Sequence, residues 1–190
     1  MEKTVSDANI METLNAAHIL YVYEEKQHYL NNIIGFLRTG IEKGDHMLMI
    51  ENQSVYREIE GQFLCSLSQQ QRECVHFIDN HSFYEFCNTS GTSNVWEHFK
   101  EILSPVFDSQ KGVHTWAHME WASLGQDAID GIKHLEDVAG EVASKNGALS
   151  VCAYSASDVS ASFQNNLMRT HKYLMTDKEI VLSPMYRCSR

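Results

Sequence analysis

The side chains that could do chemistry are scattered along this sequence, not gathered in one motif. Ten histidines are present, and two fall in the segment GVHTWAHMEW. If that segment is extended, His114, Trp116, His118 and Glu120 share one face, because side chains alternate along a strand. His118 and Glu120 would then stand about 7 Å apart at the backbone, close enough to hold one metal ion or one polar ligand. The plainer use of such groups is a hydrogen-bonded structural role, and no HExxH segment or tight ligand spacing argues for more. His18 opens an apolar run, and His171 ends a helical segment whose negative terminus would favour an imidazolium; both fit structural and functional roles equally. Tyr21 and Tyr23 point to one side of their strand and read as core aromatics. Five cysteines, at 65, 74, 87, 152 and 188, form an odd set without a CxxC pair. They read as reduced structural thiols, not as a disulfide framework or a zinc site. The expectation is no bound metal and no cofactor.

The elements that must position these groups alternate. HILYVY (18–23) and MLMIEN (47–52) are short apolar runs of strand type, and between them Tyr29, Ile33, Phe36, Leu37 and Ile41 recur at helical spacing up to a stop at Gly44. Ser54 is the expected cap of a helix through Leu67. CVHFID (74–79) reads as a third strand, followed by helical material around Phe83–Phe86, a polar break at 88–94 and a helix at 95–106. After the histidine strand, 130–143 has the pattern of an amphipathic helix turning Ile132, Leu135, Val138, Ala139 and Val142 inward. ALSVCAY (148–154) is a further buried strand. Ser157 or Asp158 is expected to start a helix to about His171, and a short tail strand near Ile180–Leu182 to close the sheet edge. Strands alternating with helices imply parallel strands joined by right-handed crossovers, hence an α/β three-layer sandwich with a mostly parallel central sheet.

The chain has 190 residues, fitting one domain across 1–190, with 1–14 a candidate flexible segment. Apolar content of 43% and charged content of 21% are globular values. The start lacks a positively charged segment followed by an apolar run, and no window reaches the roughly 20 apolar residues of a membrane span, so a cytoplasmic protein without membrane contact is expected. A net charge of −10 without a basic cluster disfavours direct nucleic-acid binding.

The stretch from HILYVY through FLRTGIEKGDHMLMIEN resembles the strand, phosphate loop, helix, strand order of RecA/KaiC ATPases. Where those carry a glycine-rich loop ending in lysine and serine or threonine, this chain has Glu24-Glu25-Lys26-Gln27-His28-Tyr29-Leu30. No glycine lets backbone amides reach phosphate, and two glutamates would repel it. The early histidine with its tyrosines (His18, Tyr21, Tyr23), GIEKGDHMLMI, the MEW at 119–121, and CAY followed by a helix ending at Thr170-His171 together resemble the MEDS sensory family. That resemblance implies a KaiC-like domain without the phosphate loop, sensing small molecules such as hydrocarbon derivatives. Its domain often accompanies a DNA-binding or histidine-kinase module, absent here, so action alone, as a subunit or through a separate partner is expected.

In open α/β sheets ligands settle at the carboxyl ends of the strands. Together with the resemblance, this nominates His18, Tyr21, Tyr23, Glu51, His118, Glu120, Trp121, Tyr154 and His171 as ligand-binding residues lining one crevice. Glu51 stands where KaiC-like ATPases carry catalytic glutamates, but without nucleotide it has no water to activate. With no nucleophile elbow, cofactor loop or paired-carboxylate motif, the expected function is a non-catalytic sensory or regulatory domain that binds a small molecule or a regulatory protein, as a candidate homo-oligomer. The alternatives are a protein-interaction subunit without ligand, or a metal-assisted hydrolase using His118 and Glu120.

Overall fold

The structure, a computed structural model, describes residues 14, 16–90, 111–120, 136, 140 and 147–187. Within them β1 (Ala17–Tyr23), β2 (His46–Glu51), β3 (Val75–Asp79), β4 (Val113–His118), β5 (Leu149–Ser155), β6 (Tyr173–Met175) and β7 (Ile180–Leu182) form one sheet. Its order is β3-β2-β4-β5-β1-β6-β7, parallel throughout except for β6 against β7. The two apolar runs HILYVY and ALSVCAY therefore lie side by side in the interior. The pairing of Tyr21 with Ala153 and of Tyr23 with Ser155 fixes their register.

Alternation along the strands sends successive side chains to two cores. On one face Ile19 and Tyr21 of β1, Met47 and Met49 of β2, Trp116 of β4 and Val151 of β5 pack under α1 (Lys26–Lys43) and α2 (Gln53–Gln62). On the other, Leu20, Leu48, Ile50, Cys152 and Tyr154 pack against Phe83 and Tyr84 of α4 (Asn80–Ser90) and Leu167 of α5 (Ala161–Thr170). Helices on both faces make the three-layer α/β/α sandwich. Each large apolar side chain so enclosed contributes about 1.5–3 kcal/mol relative to exposure. Among the described residues no helix is long and apolar enough to cross a membrane.

The structure departs from the local sequence signals in three places. The second helix is capped by Asn52, whose side chain accepts from the Val55 N–H, not by Ser54; it ends at Gln62, with a 3-10 turn (Leu64–Ser66) and a short α3 (Gln69–Arg72) following. Helix α5 starts after Ser160, which accepts from the Phe163 N–H, not after Ser157 or Asp158. Strand β6 was not anticipated because three residues carry too little pattern. Gly44 does end α1, at φ 78°, where its N–H bonds back into the last turn. The expected helix at 95–106 and residues 1–13 lie outside the described residues. Of the helix expected at 130–143, Glu136 and Gly140 are described, and both are helical.

Candidate functional site

At the carboxyl ends of β1, β2 and β4 a polar chain is built on the α1 face. Glu51, the last residue of β2, is fully buried at 0% exposure. His118, the last residue of β4, sets its Nδ1 2.5 Å from Glu51 Oε1 and its Nε2 2.8 Å from the Tyr23 hydroxyl. From α1, Tyr29 donates its hydroxyl to Glu51 Oε2 and accepts from the Trp116 indole N–H at 2.9 Å. The Asn52 backbone N–H also donates to Glu51, at 2.8 Å. The buried carboxylate is thus supplied with donors, as burial of a charge requires. Burial works against an imidazolium at His118, but the Glu51 hydrogen bond and charge, with Glu120 and Asp158, outweigh it and hold the group above its usual value. Burial and the same glutamates push the Tyr23 hydroxyl upward, so it stays protonated.

Glu120 lies just beyond β4, partly exposed at 31% for its side chain. Its carboxylate accepts from Asn52 Nδ2 at 3.1 Å and Asn80 Nδ2 at 2.8 Å. Of its two asparagine partners, Asn52 follows β2 and caps α2, and Asn80 follows β3 as the first residue of α4. Both ring nitrogens of His118 are engaged by Glu51 and Tyr23, and Glu120 is held by amides. The pair does not converge on a common point as two ligands of one metal would.

The third feature is the junction between β1 and α1. Backbone N–H groups of Glu24 and Glu25 both donate to Asp177 Oδ2, at 3.0 Å each, while Asp177 Oδ1 accepts from the Tyr21 hydroxyl at 2.7 Å. Asn32 donates to that hydroxyl in turn, at 2.9 Å. Asp177 comes from the turn between β6 and β7. Burial acts against its ionised form, but the Tyr21 hydroxyl and the two amides hold its carboxyl below the usual range. The amides at the start of α1 are therefore occupied by an anion belonging to the chain itself.

On the opposite face lies a separate cluster. His18 of β1, Cys152 of β5, Glu136 and His171 at the end of α5 are all buried. Tyr154 donates its hydroxyl to Glu136 Oε1, and the His18 and His171 rings lie 3.8 Å apart at 31°. Gly140 stands where a Cβ would approach His18 Nδ1 to 3.2 Å, so the absent side chain leaves room for the imidazole.

The nominated residues thus divide in two. Tyr21, Tyr23, Glu51, His118 and Glu120 gather at the strand ends above the α1 face, whereas His18, Tyr154 and His171 lie across the sheet from them; Trp121 lies outside the described residues. A single crevice holding all of them does not form, because β1 and β5 alternate: His18, Cys152 and Tyr154 face one way, Tyr21 and Tyr23 the other. Sequence reasoning missed Asp177, Asn80 and Glu136. Asp177 sits in an exposed turn, and Glu136 falls on what reads as the polar side of an amphipathic helix. A small cavity of about 10 Å³, lined by Phe36, Gly40, Met47, His114 and Leu149, opens at the other end of the strands and has room for a single water at most.

Residues 17–172 match the family model described as MEDS, the methanogen/methylotroph, DcmR sensory domain. No curated protein matches the chain.

Proposed function

This chain belongs to the MEDS sensory domain family, and from that premise we propose that it is a non-catalytic sensory domain. In this reading it recognises a small uncharged or cationic molecule at the carboxyl ends of its strands and passes the signal to a protein partner. The observation that carries the proposal is the occupied amide pair at the start of α1. In a RecA/KaiC-like ancestor those N–H groups would hold phosphate; here Asp177 holds them at 3.0 Å. A nucleotide would have to displace a bonded carboxylate and face Glu24, Glu25, Glu51 and Glu120 without a glycine-rich loop, while the nearby Lys26 is paired with Glu58. What the strand ends do offer is the Tyr23 hydroxyl, the partly exposed Glu120 carboxylate and the Asn52 amide. These suit hydroxyl, amine or amide groups better than anions.

The hydrolase reading with His118 and Glu120 gains no support from the site, since both ring nitrogens of His118 are already engaged, by Glu51 and Tyr23. A partner-docking role draws on one observation: Val181 and Leu182 on the last strand, and Tyr186 after it, are exposed, Leu182 at 66%.

Thermal shift tests the proposal. Magnesium-ATP should leave the melting temperature unchanged, whereas a saturable rise from one of a panel of small alcohols, amines and halocarbons would report binding by mass action. That rise should disappear in Glu120→Gln. A saturable rise with ATP would refute it.

A further inference from the structure

We propose that His18, Glu136, Cys152 and His171 bind one zinc-like divalent metal ion, on the face of the sheet opposite α1. The four donor atoms come from separate elements and all lie within 4.8 Å of one another. Glu136 Oε2 is 3.1 Å from His18 Nε2 and 3.0 Å from His171 Nε2, and His18 Nε2 is 3.3 Å from Cys152 Sγ. Tetrahedral zinc, with bonds of about 2.0–2.3 Å, separates its ligand atoms by roughly 3.3–3.8 Å. The near pairs already approach that spacing, and the wider ones need to close by roughly 1 Å.

Ordinary hydrogen bonding does not account for the arrangement. His171 Nδ1 stands 2.8 Å from the Leu167 carbonyl oxygen, so the ring hydrogen belongs there and Nε2 is left with a lone pair. That Nε2 and Glu136 Oε2 are buried, 3.0 Å apart, and without a hydrogen-bond partner among the described residues. With His171 neutral, two lone pairs face each other in an apolar interior and repel; a proton on Nε2 would turn the same 3.0 Å contact into an ion pair. A cation between them reverses the sign of that interaction. A metal fits better than a proton because His18 Nε2 and Cys152 Sγ converge on the same point.

The donor set narrows the ion. Two imidazoles, a thiolate and a carboxylate suit zinc and its borderline neighbours, not calcium or magnesium, which take oxygen. Thiolate and carboxylate together neutralise a divalent charge, which buried placement favours. As the sulfur–metal bond forms, the thiol proton leaves to water. Supports of the usual kind are present: Leu167 orients His171, and Tyr154 holds the second oxygen of Glu136. Four protein ligands would leave no open position, so the ion would tie the helix bearing Glu136 to β1, β5 and the end of α5. This site is independent of the strand-end crevice.

The test titrates the full chain, stripped by chelation, with cobalt(II) and then zinc. Expected are one cobalt per chain, the visible bands of a tetrahedral site, a near-ultraviolet thiolate-to-cobalt band, and bleaching by zinc. In Cys152→Ser the thiolate band should vanish, and in both this variant and His171→Gln affinity should fall more than about a hundredfold, beyond the loss that removing an outer support alone causes. X-ray absorption on the zinc-loaded unsubstituted chain, which needs no variant to fold, should find one sulfur among four ligands. Failure of either metal to saturate, a shell without sulfur, or an unchanged thiolate band in folded Cys152→Ser would overturn the proposal.

Discussion

Replacing Asp177 by Ala removes the carboxylate that joins the β6–β7 turn to the start of α1. Three bonds disappear together: from Tyr21 at 2.7 Å and from the Glu24 and Glu25 amides at 3.0 Å each. A hydrogen bond to a charged group contributes about 1.5–3 kcal/mol when buried, and loss of a side chain capping helix amides costs about 0.5–2 kcal/mol. Two considerations favour the lower end. The amides of Glu24 and Glu25 are near solvent, so water replaces the acceptor, and Tyr21 keeps its bond from Asn32. The expected loss is about 1–2 kcal/mol, which for a chain of this size lowers the melting temperature by roughly 2–8 °C. Sulfate added to the variant should enter the vacated amides and recover part of the loss, while stabilising the unsubstituted protein less. Because the folded carboxyl is held below its unfolded value of about 3.9, its contribution is complete above that value and is lost as pH falls through the lower folded one. Asp177→Asn should lack that acid dependence. Urea unfolding of the three proteins with and without sulfate measures all of this. A variant as stable as the parent, or one that sulfate affects no differently, would show that the carboxylate does not hold the amides.

Three further outcomes follow from the strand-end chain. His118→Asn should flatten the pH profile of stability near neutrality: the folded imidazole lies above its unfolded value of about 6.5, so its contribution is complete below that value and lost as pH rises through the folded one. Tyr29→Phe should cost about 1–3 kcal/mol in urea unfolding with an unchanged slope, since it strips a donor from buried Glu51 and an acceptor from Trp116. Glu120→Gln should cost under about 1 kcal/mol by the same measurement, because the side chain is partly solvated and the amide oxygen still accepts from one asparagine.

Much of the fold was legible because the strands are either continuous apolar runs or clean alternations. HILYVY and ALSVCAY have too few polar residues for a wet face, and their central placement follows. The alternation of His114, Trp116 and His118 likewise emerges as one buried side of β4. Boundaries were less legible, since Asn52, Ser54, Ser157 and Ser160 are all competent caps and only the packing of α2 and α5 chooses among them. Of the site, the carboxyl-end glutamate and histidine were within reach of a topological argument. Their separation from His18 and His171 was not, because it depends on which way each residue of β1 points once α1 has covered one side. Asp177 and Glu136 were hidden for a different reason: a lone acid in a turn or on a helix has a meaning only when its distant partner is known.

The alternation of β1 limits how this chain can change. Its seven residues serve two chambers by turns, imidazole into one and phenols into the other, and both neighbouring strands hold it in parallel register. Substitutions at single positions can be absorbed one chamber at a time. Gain or loss of one residue within Ala17–Tyr23 cannot, because every side chain beyond the change would swap sides. The imidazole would then enter the tyrosine layer, or the tyrosines the layer beside Cys152, according to which side of the change stays anchored. Length variation among related chains is therefore expected in the connections around this strand and not within it.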